Sequence, residues 1–157
     1  MLRNTIAIIL ILFVASSCKK AEDQSVLFLS PAEQLAKDVA IIEDYLDQEG
    51  LVAQQTASSL YYIIDEEGTD GHPTSTADVQ VTYRGIFPDG TEFDSGDKVT
   101  FNLGGVIAGW REGIPLFMKN GKGKLLIPSG LAYGPQGAGS IPRNQVIIFD
   151  VELHNFL

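Results

Sequence analysis

Two periods of apolar residues run along this chain, one after the other. Leu35, Val39, Ile42 and Leu46 recur at spacings of 4, 3 and 4, which places them on one face of a helix. Asp38, Glu43, Asp44 and Asp47 fall mostly off that stripe. Ser30-Pro31-Ala32-Glu33 reads as a helix start: Ser30 can cap, Pro31 fits the first turn, and Glu33 completes a capping box. Gly50 is a left-handed terminator. The pattern predicts a helix over about 31–49. Four large apolar residues cannot stay in water, so the stripe must cover the domain, a second copy of the helix, or a partner.

After a polar connector, Gln54 to Ser58, the period falls to two. Leu60 to Ile64 has the β-branched and aromatic content of a strand. Val79, Val81 and Tyr83 alternate with Gln80 and Thr82, and Val99 to Leu103 alternates again. Lys122 to Pro128 puts Leu125 and Ile127 on one face; Val146 to Leu153 does the same with Ile147, Phe149, Val151 and Leu153. Turns separate these runs: the Asp65 to Thr76 loop, Pro88-Asp89-Gly90, Gly104-Gly105, Asn120-Gly121 and the long Ser129 to Asn144 loop. Trp110, Ile114 and Met118 mark one short helical run, which Pro115 keeps short. The expected fold class is α+β: a small antiparallel sheet of five or so strands with one short helix on its concave face, preceded by a helical extension.

Trp110 is the only tryptophan in 157 residues. At a strand-to-helix turn it is either the largest core residue or the floor of a shallow apolar pocket. Tyr83, Phe93, Phe101, Tyr133, Ile141 and Phe149 come from separate elements, and periodicity alone does not bring them together.

The N-terminus reads as a targeting segment. Arg3 precedes an apolar run from Thr5 to Val14, too short to span a bilayer comfortably and typical of a signal core. Ala15-Ser16-Ser17 then lead into Cys18. Two readings stand: a plain secretory signal with an incidental cysteine, or a lipobox, whose Cys becomes the lipid-bearing first residue. The expected organisation is a signal over 1–17, a tether over 18–29, the helical extension and connector over 30–58, and a β-rich domain over 59–157.

Charge and composition exclude several classes. A net charge of −9 with no basic cluster longer than Lys19-Lys20 argues against nucleic acid as a partner. One cysteine gives no internal disulfide or thiolate cluster, and two histidines, His72 in a Gly/Pro loop and His154 near the chain end, leave little material for a hydrolytic triad or a His metal site. Gly104-Gly105 lacks the flanks of a phosphate loop. No metal or cofactor is expected. Aromatics and Val/Ile on turns remain, with one carboxylate, Asp94, beside Phe93. That carboxylate either acts on a bound molecule or makes a hydrogen bond within the sheet, with Tyr83 as a candidate partner.

Six blocks carry a family resemblance, in order and with matching spacing over about 59–157. They are Val81-Thr82-Tyr83-Arg84-Gly85, Pro88 to Ser95, Val106 to Gly113, Ala132-Tyr133-Gly134, Ile141-Pro142 and Ile148 to Leu153. Together they resemble the FKBP-type peptidyl-prolyl cis-trans isomerases. The resemblance implies a sheet of five to six strands wrapped around one short helix. Trp110 would floor a proline pocket, with Tyr83, Phe93 and Phe149 as walls and Val99 and Phe101 beside them. Val106 and Ile107 would form the rim, the Ile107 N–H meeting a substrate carbonyl. Asp94 would be the polar group in the wall, and Tyr133 and Ile141 would close over the substrate.

The implied activity is isomerisation of X-Pro bonds in exported polypeptides, without covalent chemistry. A non-catalytic chaperone or assembly module using the same pocket is the alternative. Further expectations are rapamycin-type macrolides as inhibitors, a lipid anchor at Cys18, a homodimer through helix 31–49, and a place on the periplasmic side of a bacterial outer membrane. Two positions depart from the family: Val99 stands where an aromatic is common, and Ala138 where many members have His.

Overall fold

The computed structural model describes residues 29–157. Six strands form one antiparallel sheet in the order β1-β2-β5-β6-β3-β4. In chain order these are β1 (Gln54–Gln55), β2 (Tyr61–Glu66), β3 (Asp78–Ile86), β4 (Glu92–Asn102), β5 (Lys122–Ile127) and β6 (Ile147–Phe156). Helix α1 (Pro31–Glu49) precedes them, and the short α2 (Ala108–Gly113) lies between β4 and β5. The two helices sit on opposite faces.

The period-two strands explain the two faces. On the concave face Leu60, Val79, Val81, Leu125, Ile127, Ile147, Phe149, Val151 and Leu153 pack with Trp110, Ile114 and Phe117. The intervening residues Tyr61, Leu126 and Ile148 point the other way and pack with Ile42, Tyr45 and Leu46 of α1. A sheet apolar on both faces needs a cover on each, and α1 is the second cover. The helical stripe therefore covers the domain of its own chain. Tyr45 joins that stripe, while Leu35 stays 37% exposed beyond the sheet.

The start of α1 has the expected chemistry. Glu33 N–H donates to Ser30 Oγ at 3.3 Å and Ser30 N–H to Glu33 Oε2 at 2.8 Å. Gly50 ends the helix at φ 65°. The connector differs from expectation, because Gln54 and Gln55 pair with Tyr62 and Tyr61 as a two-residue edge strand. So does β4, which runs unbroken from Glu92. It lies at the sheet edge, where an exposed, bulged strand loses its apolar alternation.

Pro115 falls in a 3₁₀ turn, Ile114–Leu116, directly after α2. Glycine lets α2 lie flat on the sheet: a Cβ at Gly109 would come 2.5 Å from Ile127, and one at Gly113 2.6 Å from Leu125. Trp110, between them, is thereby held against the concave core.

Candidate active site

A cleft of about 320 Å³ opens on the concave side, lined by Tyr83, Asp94, Phe101, Gly105, Val106, Ile107, Trp110, Tyr133 and Phe149. Its floor is Trp110, only 4% exposed. Three rings meet the indole almost edge-on: Tyr83 at 5.2 Å and 85°, Phe101 at 5.4 Å and 86°, and Phe149 at 5.1 Å and 77°. Such T-shaped contacts add roughly 0.5–1.5 kcal/mol each beyond area burial. The three rings thus brace the indole from separate strands. Trp110 Nε1 is buried with no hydrogen-bond partner among the described residues.

One polar pair interrupts the apolar wall. Tyr83 Oη–H donates to Asp94 Oδ2 at 3.0 Å, and Ser95 N–H to Asp94 Oδ1 at 2.9 Å. Tyr83 lies on β3 and Asp94 on the neighbouring β4. Burial pushes the Tyr83 phenol up to about 12; the hydrogen bond to Asp94, the Asp94 charge and Tyr133 add to it. Burial also raises Tyr133, with a smaller push from the Asp94 charge. Both phenols are therefore neutral donors near neutral pH.

The rim comes from the turn before α2. Ile107 caps that helix in extended conformation, and its carbonyl accepts from the N–H groups of Trp110 and Arg111, each at 3.1 Å. Its own N–H has no partner among the described residues and lies at the cleft. Tyr133 arrives from the loop after β5, which an Ala138–Ile141 bridge closes.

Of the residues singled out in the sequence, Tyr83, Asp94, Phe101, Val106, Ile107, Trp110, Tyr133 and Phe149 converge on this cleft. Three do not line it. Phe93 stands behind the wall, stacked on Phe87 at 5.0 Å and edge-on to Phe149 at 5.6 Å. Ile141 is buried in the concave core beneath its loop. Val99 pairs with Val81 and so shares the concave face, but β4 is the edge strand and the side chain is 36% exposed. Gly105 lines the cleft and was not among the expected site residues; the sequence marks it only as half of a breaker pair, which carries no chemical signal. Cys18 lies outside the described residues. Among those residues no group of three His, Cys, Asp or Glu could hold a metal ion.

The site is thus an aromatic box around a lone tryptophan, with a Tyr–Asp pair in its wall and, at its rim, an amide with no partner among the described residues. Residues 69–154 match the family described as FKBP-type peptidyl-prolyl cis-trans isomerase. The chain belongs to that family. Among its relatives, the FKBP-type isomerase FkpA of Aeromonas hydrophila is 46% identical over 119 residues, covering 71% of this chain and 44% of the relative. FkpA of Escherichia coli K12 is 38% identical over 138 residues, covering 85% and 50%. The chain spans about half the length of these curated relatives.

Two solved structures agree with the fold. The crystal structure of E. coli FkpA superimposes with a TM-score of 0.69 at 36% identity, over 80% of this chain and 62% of that one. A peptidyl-prolyl cis-trans isomerase from Pseudomonas syringae pv. tomato gives 0.70 at 29% identity, over 82% of this chain and 98% of that one. The α+β class and the antiparallel sheet around a short helix stand as expected, with six strands.

Proposed function

We propose that this chain catalyses cis-trans isomerisation of X-Pro peptide bonds and assists the folding of exported polypeptides. The observation that carries the reading is the Trp110 floor boxed by Tyr83, Phe101 and Phe149 in an open cleft of proline size. An X-Pro bond crosses a barrier of roughly 18–20 kcal/mol, set by lost amide resonance, and does so over tens to hundreds of seconds. At the top of the barrier the bond is twisted and its charge separation has collapsed. A dry aromatic site binds that less polar geometry better than the planar amide, and differential binding is what lowers a barrier. Each tenfold acceleration needs about 1.4 kcal/mol of it. The proline ring would rest on Trp110. The Ile107 N–H and the Tyr133 hydroxyl would hold flanking carbonyls, while Asp94 fixes the Tyr83 hydroxyl in the wall.

The direct test follows cis-trans exchange of an X-Pro peptide series with the 19–157 chain. Wild type should exceed the buffer rate, and Trp110→Leu, which keeps an apolar floor without the ring, should cut kcat/KM by about tenfold. A folded wild-type sample that leaves exchange at the buffer rate would reduce the cleft to a binding site, as the chaperone alternative requires. A rapamycin-type macrolide should compete with the peptide for the same cleft.

The same proposal places the chain at the bacterial envelope, on the periplasmic side of the outer membrane, held by lipid on Cys18. Its support is the sequence order of Arg3, the Thr5 to Val14 run, the small residues and Cys18. A chain carrying two or three acyl groups stays on a membrane. Intact mass spectrometry should find wild type as a chain beginning at Cys18 plus the mass of its acyl groups, and Cys18→Ala without acyl groups; a wild-type mass accounted for by amino acids alone removes the anchor. A homodimer would need a surface other than Ile42, Tyr45 and Leu46, which are spent on the sheet.

A further inference from the structure

Asp38 is a charged side chain in the wrong place for an ordinary helix surface. It is 1% exposed, and no salt bridge reaches it among the described residues. A carboxylate taken out of water needs full hydrogen bonding to persist. Asp38 has it: Gln34 Nε2 donates to Oδ1 at 2.7 Å, Ser129 N–H to Oδ2 at 2.8 Å and Ser129 Oγ–H to Oδ2 at 2.6 Å. Ser129, itself 1% exposed, stands 91 positions further along the chain.

Ser129 is where the cleft loop begins. It opens the 3₁₀ turn Ser129–Leu131, and its carbonyl accepts from Ala132 N–H at 3.0 Å. The next residue is Tyr133, at the cleft. Beyond it the loop's backbone hydrogen bonds are internal, Gly137 N–H donating to the Tyr133 carbonyl at 3.2 Å and Asn144 N–H to the Gly134 carbonyl at 2.8 Å, while Tyr133 and Ile141 pack on the concave core. The Asp38 bonds therefore fix the near end of the strap that carries Tyr133. A second polar tie runs in parallel. Ser58 Oγ lies 2.6 and 2.8 Å from the two carboxylate oxygens of Glu112, two residues after Trp110 on α2. The extension before the β-rich domain thus grips both the loop and the helix that frame the cleft.

We propose that Asp38 is a positioning residue for the isomerase site, setting the placement of Tyr133 through Ser129. The proposal rests on the isomerase reading above. Burial of the α1 stripe would hold the helix on the sheet without any carboxylate; Asp38 adds a specific connection to one loop. Tyr133 would contact bound peptide throughout the reaction, so misplacing it removes uniform binding and raises KM more than it lowers kcat.

The experiment measures kcat, KM and melting temperature for wild type, Asp38→Asn, Asp38→Ala and Leu46→Ala. Asp38→Ala should raise KM by about fivefold with kcat little changed. Asp38→Asn should restore KM to within about twofold, since its carbonyl still accepts from Ser129 and its amide can meet Gln34 after a flip. Leu46→Ala, which weakens α1 on the opposite face, should lower the melting temperature and leave KM alone. A wild-type KM in Asp38→Ala overturns the proposal, as does an equal KM rise in Leu46→Ala.

If Asp38→Ala does not fold, Ser129→Ala takes its place. It removes the hydroxyl donor and keeps the N–H, and an unchanged KM overturns the idea. If wild type does not accelerate exchange, the isomerase reading fails by itself. Peptide affinity is then read from the fluorescence of Trp110, the only tryptophan. Weaker binding in Asp38→Ala that Asp38→Asn restores supports the positioning role, and equal binding in all three overturns it.

Discussion

The Tyr83 hydroxyl is pulled in one direction by every group that acts on it. Burial in the aromatic box comes first, the hydrogen bond and charge of Asp94 next and Tyr133 last, and together they raise its pKa to about 12. The raised value belongs to a group whose neutral form the fold prefers. The associated stability is complete below pH of about 10, where an unfolded tyrosine is also protonated. It is lost as pH rises from there toward the folded value, because the unfolded chain releases the proton first. Asp94→Ala should lower the Tyr83 pKa part-way only, since burial remains. Ultraviolet titration of the variant against wild type checks this, and a Tyr83 that does not move would separate the phenol from Asp94. Gly85 matters for a different reason. A Cβ there would sit 2.6 Å from Phe93 Cζ and 2.8 Å from Phe149 Cε1. Gly85→Ala should therefore cost about 1–3 kcal/mol through overpacking, visible in denaturant unfolding. It should also lower kcat/KM, because Phe149 is cleft wall.

At the scale of elements, α1 behaves as part of the core. Ile42, Tyr45 and Leu46 fill the convex face against Tyr61, Leu126 and Ile148. Leu46→Ala should cost about 2–5 kcal/mol, as large-to-small core changes do, and thermal or denaturant melting measures it directly. Its capping box is more modest: Ser30→Ala should cost about 1 kcal/mol. α2 is the opposite case, too short to be stable by propensity and held by its close seat on Ile127 and Leu125. Its length was legible from Pro115, and its position came from the glycines that flank Trp110. β4 was legible only in its second half. Asp94 to Lys98 carries no alternation because that stretch is an exposed edge, and edge strands are free to be polar.

For the whole molecule, one sheet with a helix on each face means that the extension and the β-rich domain should melt together. Removing residues 29–50 would bare Tyr61, Ile86, Leu126, Val146 and Ile148. The truncated chain should melt lower and aggregate in light scattering; an unchanged melting temperature would mean the convex face needs no cover. The sequence by itself determined most of the elements: helix 31–49 from its stripe and caps, β2 from its residue types, β3, β5 and β6 and the second half of β4 from their alternation, and the short α2 from Pro115, but not the edge strand at Gln54–Gln55. It also determined the family, because six ordered blocks of residue types are a chemical signature independent of coordinates. It left open what the α1 stripe covers and whether Asp94 meets Tyr83, since periodicity says which face is apolar and not what lies against it. Tertiary structure settled both. It also placed Val99 at an exposed edge, set Phe93 and Ile141 behind the cleft, and joined Asp38 to Ser129 across 91 positions. These are facts of strand order and close approach, produced only when distant segments pack, and no local pattern of residues encodes them.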